Sequence, residues 1–159
     1  MTELKVGNPV PDITLQATGD QTISLSDYHG KKNVVLYFYP KDSTPGCTTE
    51  GQDFRDHYEE FQQLDTEILG VSRDKIRSHE NFKAKQGFPF ELLSDPDEIA
   101  CNAFDVIKEK KLYGKTYMGI ERSTFLIDKT GRLVREWRKV KVKGHVEEVL
   151  EAVRELAAS

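Results

Sequence analysis

Two cysteines, Cys47 and Cys101, and four histidines, His29, His57, His79 and His145, are the side chains of this chain best suited to act as nucleophiles, bases or metal ligands. Cys47 ends the stretch Tyr39-Pro-Lys-Asp-Ser-Thr-Pro-Gly-Cys47, which follows a continuous apolar run from Val34 and precedes apolar residues at helical spacing. That places it at a turn from a strand into a helix. A helix N-terminus carries free N–H groups and a partial positive charge, both of which favour an anion. The thiolate, not the thiol, is the nucleophilic form of cysteine, so the position itself makes Cys47 the candidate nucleophile.

Other chemistries fit the residues poorly. A Cys-x-x-Cys redox pair would need cysteine at position 50, which is Glu50. A phosphate-cradling loop would need arginine six residues after the cysteine, and that residue is Asp53. The four histidines lie in polar stretches expected to be exposed, and no spacing sets one of them beside Cys47 as a base. Cysteines and histidines together show no zinc spacing, so neither a metal nor another cofactor is expected. Cys101, within Ile99-Ala-Cys-Asn-Ala-Phe104, reads as a small buried hydrophobe.

The elements that must hold Cys47 follow from periodicity. Val34–Tyr39 and Glu67–Val71 are runs typical of strands buried on both faces. Between them Phe54, Tyr58, Phe61 and Leu64 mark a helix over about 47–64. Ser72 or Asp74 is positioned to cap a second helix that Gly87 ends. A short strand is expected at Phe90–Leu93, then a helix from Ser94 to Phe104 with Pro96 in its first turn. Ser123–Ile127 and Leu133–Trp137 flank Asp128-Lys-Thr-Gly131, which is hairpin chemistry. Val146, Val149, Leu150, Val153 and Leu156 define a final helix, and Ile13–Leu15 with Thr22–Leu25 a small N-terminal hairpin. This order predicts an α/β chain of thioredoxin-like fold: a central mixed sheet flanked by helices, with an N-terminal β-hairpin added.

With 159 residues, a single domain spanning 1–159 is expected. The net charge of −4 provides no basic field for nucleic acid. Lys108–Lys115 and Arg138–Lys143 read as solvated surface. No apolar run approaches the ~18 residues of a membrane span and the N-terminal residues lack a signal-peptide pattern, so a cytoplasmic protein is expected.

Pro40, Thr44 and Cys47 stand in the spacing Pro-x-x-x-Thr-x-x-Cys, which resembles the active-site signature of peroxiredoxins. Phe38-Tyr-Pro-Lys-Asp-Ser-Thr-Pro-Gly-Cys-Thr48 with Glu50 is similar to the bacterioferritin comigratory protein, or peroxiredoxin Q, subfamily. Leu93-Ser-Asp-Pro-Asp97, Gly119-Ile-Glu-Arg-Ser-Thr-Phe-Leu-Ile-Asp128 and Trp137-Arg-Lys-Val extend the likeness over nearly the whole chain. The resemblance implies a thiol-dependent peroxidase in which Cys47 attacks a hydroperoxide and becomes a sulfenic acid. It implies that Thr44 hydrogen-bonds the sulfur and the peroxide, that Pro40 shields the sulfur from water, and that Arg122 sets its guanidinium beside the reacting atoms. The N–H groups of Cys47 and Gly46 would add donors. Arg55, two turns along the helix, is a weaker candidate to support Arg122.

The chain departs from that pattern where a resolving thiol would stand. Many members of the subfamily carry it five residues after the peroxidatic cysteine, here Gln52, and others in the region of Asn81–Lys83, here Lys83. That leaves Cys101, whose use as a resolving thiol would need local unfolding, or an external thiol; the expectation is an external one, thioredoxin or glutathione with glutaredoxin. Members of this type are often monomers. The competing expectation is a redox sensor or holdase that uses Cys47 without turnover.

Overall fold

The computed structural model describes residues 4–159. A hairpin of β1 (Thr14–Ala17) and β2 (Gln21–Ser24) opens the fold and leads through a 3-10 turn at Leu25–Tyr28 into β3 (Asn33–Phe38). Then come α1 (Pro45–Asp56), α2 (Tyr58–Gln63), β4 (Thr66–Ser72), α3 (Ile76–Gln86), β5 (Glu91–Ser94) and α4 (Ile99–Ala103). The chain continues through β6 (Ile107–Leu112), β7 (Lys115–Ile120), β8 (Ser123–Ile127) and β9 (Leu133–Trp137) to α5 (His145–Ala158). Among the described residues no helix is long and apolar enough to cross a membrane.

Seven strands form one mixed sheet in the order β2-β1-β5-β4-β3-β8-β9. β3, β4 and β5 run parallel, as the helical crossovers between them require, while β8 and β9 add antiparallel on one side and the β1–β2 hairpin on the other. Every residue of β3 is buried because both faces of the sheet are covered. Val34, Leu36 and Phe38 point to one core with α4 residues Ala100 and Cys101. Val35, Tyr37 and Tyr39 point to the other with Cys47, Phe54, Phe61, Phe82 and Val149 from α1, α2, α3 and α5. The helices α1 and α4 thus pack on opposite faces of the sheet and hold Cys47 and Cys101 on opposite sides of it.

Four details differ from the sequence expectations, each for a local reason. The helix expected over 47–64 breaks at His57: its Nδ1 lies 2.9 Å from the Asp53 carbonyl, which an unbroken helix would offer to the His57 N–H. That N–H turns instead to Phe54, and a second helix begins. α3 starts at Ile76, after the expected caps, because Ser72 and Asp74 bond each other across 2.5 Å. The helix expected from Ser94 begins only at Ile99, since the Asp95 carboxylate accepts the N–H groups of Ile99 and Cys101 and holds Pro96 in the turn before it. Finally, no strand is expected between Phe104 and Ser123, but β6 and β7 pair there as a hairpin turned by Tyr113 and Gly114, both at positive φ, while 108–115 lies largely at the surface as expected.

Candidate active site

Pro40 to Thr44 form the loop leaving β3, and α1 begins at Pro45, so Cys47 lies in the first helical turn. Thr44 is the N-cap residue in an extended conformation, and Pro45 at the first helical position loses no bond because that N–H has no helical partner. Cys47 is only 2% exposed and packs in the aromatic core with Tyr37 and Phe54. Its backbone N–H is among the unpaired donors of the helix start, which supports charge on the sulfur.

Arg122, from the turn before β8, reaches this sulfur: Nη2 lies 3.5 Å from Cys47 Sγ. The other nitrogen, Nη1, donates to Glu50 Oε1 at 2.7 Å. Gly46 makes this approach possible, since a Cβ there would press on Nη2 at 3.1 Å. Burial opposes the charge on Arg122, but Glu50 and the Cys47 sulfur outweigh it and hold the guanidinium protonated. Glu50 itself is fully buried, and its Oε2 has no hydrogen-bond partner. Burial pushes its pKa up to about 7, against the lowering pull of Arg122. The ion pair and the raised value are compatible because desolvation of a carboxylate outweighs one good partner.

The remaining expected residues are placed as follows. Thr44 is half-buried, and its hydroxyl donates to the Lys41 carbonyl at 2.8 Å rather than to the sulfur, so its lone pairs are what it offers an incoming group. Pro40 is half-buried at the end of β3. Arg55 turns away from Arg122, donating to the Gln86 carbonyl at 2.7 Å and to Asp56. Two histidines expected to be exposed are buried, His79 completely and His145 to 5% exposure. Each is enclosed by a polar partner inside the fold: Asp42 for His79 and Thr124 for His145. Glu50 was quoted in the motif but given no role. Its sequence signal is its position: one turn before Phe54, on the buried stripe of α1, where a carboxylate requires a cation.

The chain matches the AhpC/TSA family model over residues 6–136. Peroxiredoxin Bcp of Bacillus subtilis is 55% identical over 154 residues, covering 97% of this chain and 98% of that protein. This chain belongs to the AhpC/TSA family. Among solved structures, a mutant of PrxQ from Xylella fastidiosa superposes with a TM-score of 0.92 at 48% identity and 99% coverage of both chains. The bacterioferritin comigratory protein of Xanthomonas campestris, studied for alkyl peroxide reduction in trapped intermediate and ligand complexes, superposes at 0.89 with 51% identity, covering 96% of this chain and 99% of that one. The fold is thioredoxin-like, and the chain is a thiol-dependent peroxidase of the peroxiredoxin kind.

In a peroxiredoxin the positions of Gln52 and Lys83 acquire meaning. Gln52 on α1 donates to the Gln86 side chain at 2.9 Å, and Lys83 pairs with Glu91 on β5. Both positions that the resemblance would fill with a resolving thiol are instead ties holding α1, α3 and β5 together. Cys101 is completely buried under the opposite face of the sheet. Burial, then a hydrogen bond with Asp95, raises its thiol pKa far above the ordinary range and keeps it protonated.

Proposed function

We propose that Cys47 is the peroxidatic residue and that Arg122, Thr44 and Pro40 complete its site within one domain spanning the chain. The carrying observation is the Arg122 guanidinium 3.5 Å from a sulfur set in a helix's first turn. The thiolate attacks one oxygen of a hydroperoxide; the S–O bond forms, the O–O bond breaks, and the leaving oxygen takes a proton to become water or an alcohol. Cys47 is left as a sulfenic acid. Negative charge moves from sulfur to the leaving oxygen, and fixed donors aimed along that path lower the barrier. Arg122 and the Cys47 N–H supply those donors, Thr44 accepts from the peroxide hydroxyl, and Pro40 excludes water.

Hydrogen peroxide and organic hydroperoxides are the proposed substrates; the alkyl peroxide work on the Xanthomonas relative supports the second. An external thiol condenses with the sulfenic acid, releasing water, and a second thiol frees Cys47 from the mixed disulfide. Thioredoxin and glutathione with glutaredoxin are the proposed reductants, and the working form is a cytoplasmic monomer. Steady-state peroxide consumption with each reductant tests this reading. Multiple turnovers in the wild type, abolished by Cys47→Ser, are expected. A single stoichiometric oxidation that never cycles would instead support a redox sensor.

A further inference from the structure

The loop that carries Pro40 and Thr44 is fastened by a buried hydrogen-bonded pair outside the sulfur's own contacts. His79, on α3, is completely buried. Its Nε2 lies 2.8 Å from the Leu93 carbonyl on β5, which can only accept, so Nε2 carries a proton. Its Nδ1 lies 2.7 Å from Oδ2 of Asp42, a loop residue only 5% exposed. Asp42 also accepts from the Tyr39 hydroxyl at 2.6 Å and from Ser78 at 2.8 Å. Its backbone N–H donates to Asp74 at 2.9 Å. The segments leaving β3 and β4 and the first turn of α3 therefore converge on one loop residue, and β5 joins them through His79.

We infer that the His79–Asp42 pair is a positioning device for peroxide reduction, setting where the loop between β3 and α1 presents the Thr44 hydroxyl to a peroxide at the Cys47 sulfur. This rests on the reading of Cys47 as the peroxidatic residue. Two residues on from Asp42, the Thr44 hydroxyl is bonded to the Lys41 carbonyl, so a shift of the loop moves that acceptor with it. Ser43, between them, holds a positive φ of 64°, a conformation that persists only when its surroundings impose it.

The test separates the two ring nitrogens. Asparagine at 79 retains a donor near the Nδ1 position, towards Asp42; glutamine retains one near Nε2, towards Leu93. His79→Gln is expected to lower the second-order rate of Cys47 oxidation by hydrogen peroxide about 10- to 100-fold, the scale of a 1 Å misplacement. His79→Asn should recover most of it. Alkylation of Cys47 by iodoacetamide, which needs a thiolate but no aligned peroxide, should persist in both. Equal losses in the two variants would reduce His79 to a brace between α3 and β5 and overturn the inference, as would an unchanged rate in His79→Gln or a parallel loss of alkylation. Should either variant fail to fold, Ser78→Ala removes one donor to the same Asp42 oxygen: a smaller loss of peroxide rate at native alkylation supports the device, and no loss refutes it. Peroxide reduction that survives in Cys47→Ser would defeat the underlying reading of Cys47 instead.

Discussion

The Arg122 guanidinium stands 3.5 Å from the Cys47 sulfur with its second nitrogen spent on the buried Glu50 carboxyl, so one rigid fork serves two partners. Arg122→Met should lower the peroxide rate constant by about 10²- to 10³-fold, the scale of losing one aimed donor. Arg122→Lys should recover only part, because a single ammonium cannot bridge Glu50 and the sulfur in the same geometry. Competition kinetics against a reference peroxidase would measure both.

Glu50 and His145 should give folding stability opposite pH slopes over nearly the same window. Glu50 has a folded pKa of about 7 against 4.5 when unfolded, so the folded state holds the extra proton and stability falls as pH rises between those values. His145, which burial lowers to about 4 from 6.5, is the reverse: the unfolded state holds the extra proton and stability falls as pH drops from 6.5. Relative to wild type, Glu50→Gln should add a rise of up to about 1.4 kcal/mol per pH unit between roughly pH 4.5 and 7. His145→Gln should add a comparable fall. Urea midpoints at four pH values would decide.

Removing Cys101 should leave catalysis intact. Cys101→Ala is expected to keep wild-type turnover with an external thiol, and intact-mass analysis after one equivalent of peroxide should show Cys47 modified without a Cys47–Cys101 disulfide. An internal disulfide in the folded protein would contradict the placement of the two sulfurs on opposite faces of the sheet.

Gly51 lies on α1 directly under the Phe88 ring, and a methyl added there would overlap the ring. Alanine normally improves a helix by about 1 kcal/mol over glycine. Here the clash should win, with a net destabilisation of about 1–2 kcal/mol from overpacking. Thermal denaturation of Gly51→Ala would show the sign.

The strand-to-helix turn that holds Cys47 was legible because strong local signals coincide: a six-residue apolar run, a proline stop and a helical stripe. The α1–α2 break was not, since it depends on one histidine ring taking one carbonyl. Nor was the β6–β7 hairpin, whose largely exposed residues show no buried face to set an alternating pattern. The burial of His79 and His145 was misread because a polar neighbourhood in sequence says nothing of partners brought in by the sheet, such as Asp42 and Thr124. Glu50 was visible as a letter of the motif, but its partner lies 72 residues away.

The seven-stranded sheet is also a partition between two chemical compartments. The sulfur on one side can be oxidised while the protonated sulfur on the other is screened by a layer of paired backbone. On the proposed mechanism, an oxidised molecule with its sheet intact does not reset itself and waits for a reductant to arrive. Under a sustained peroxide load, the fraction of molecules ready to react will therefore follow the concentration of reduced thiol around them. The oxidised fraction becomes a gauge of that supply, set by which face of the sheet each sulfur-bearing helix covers.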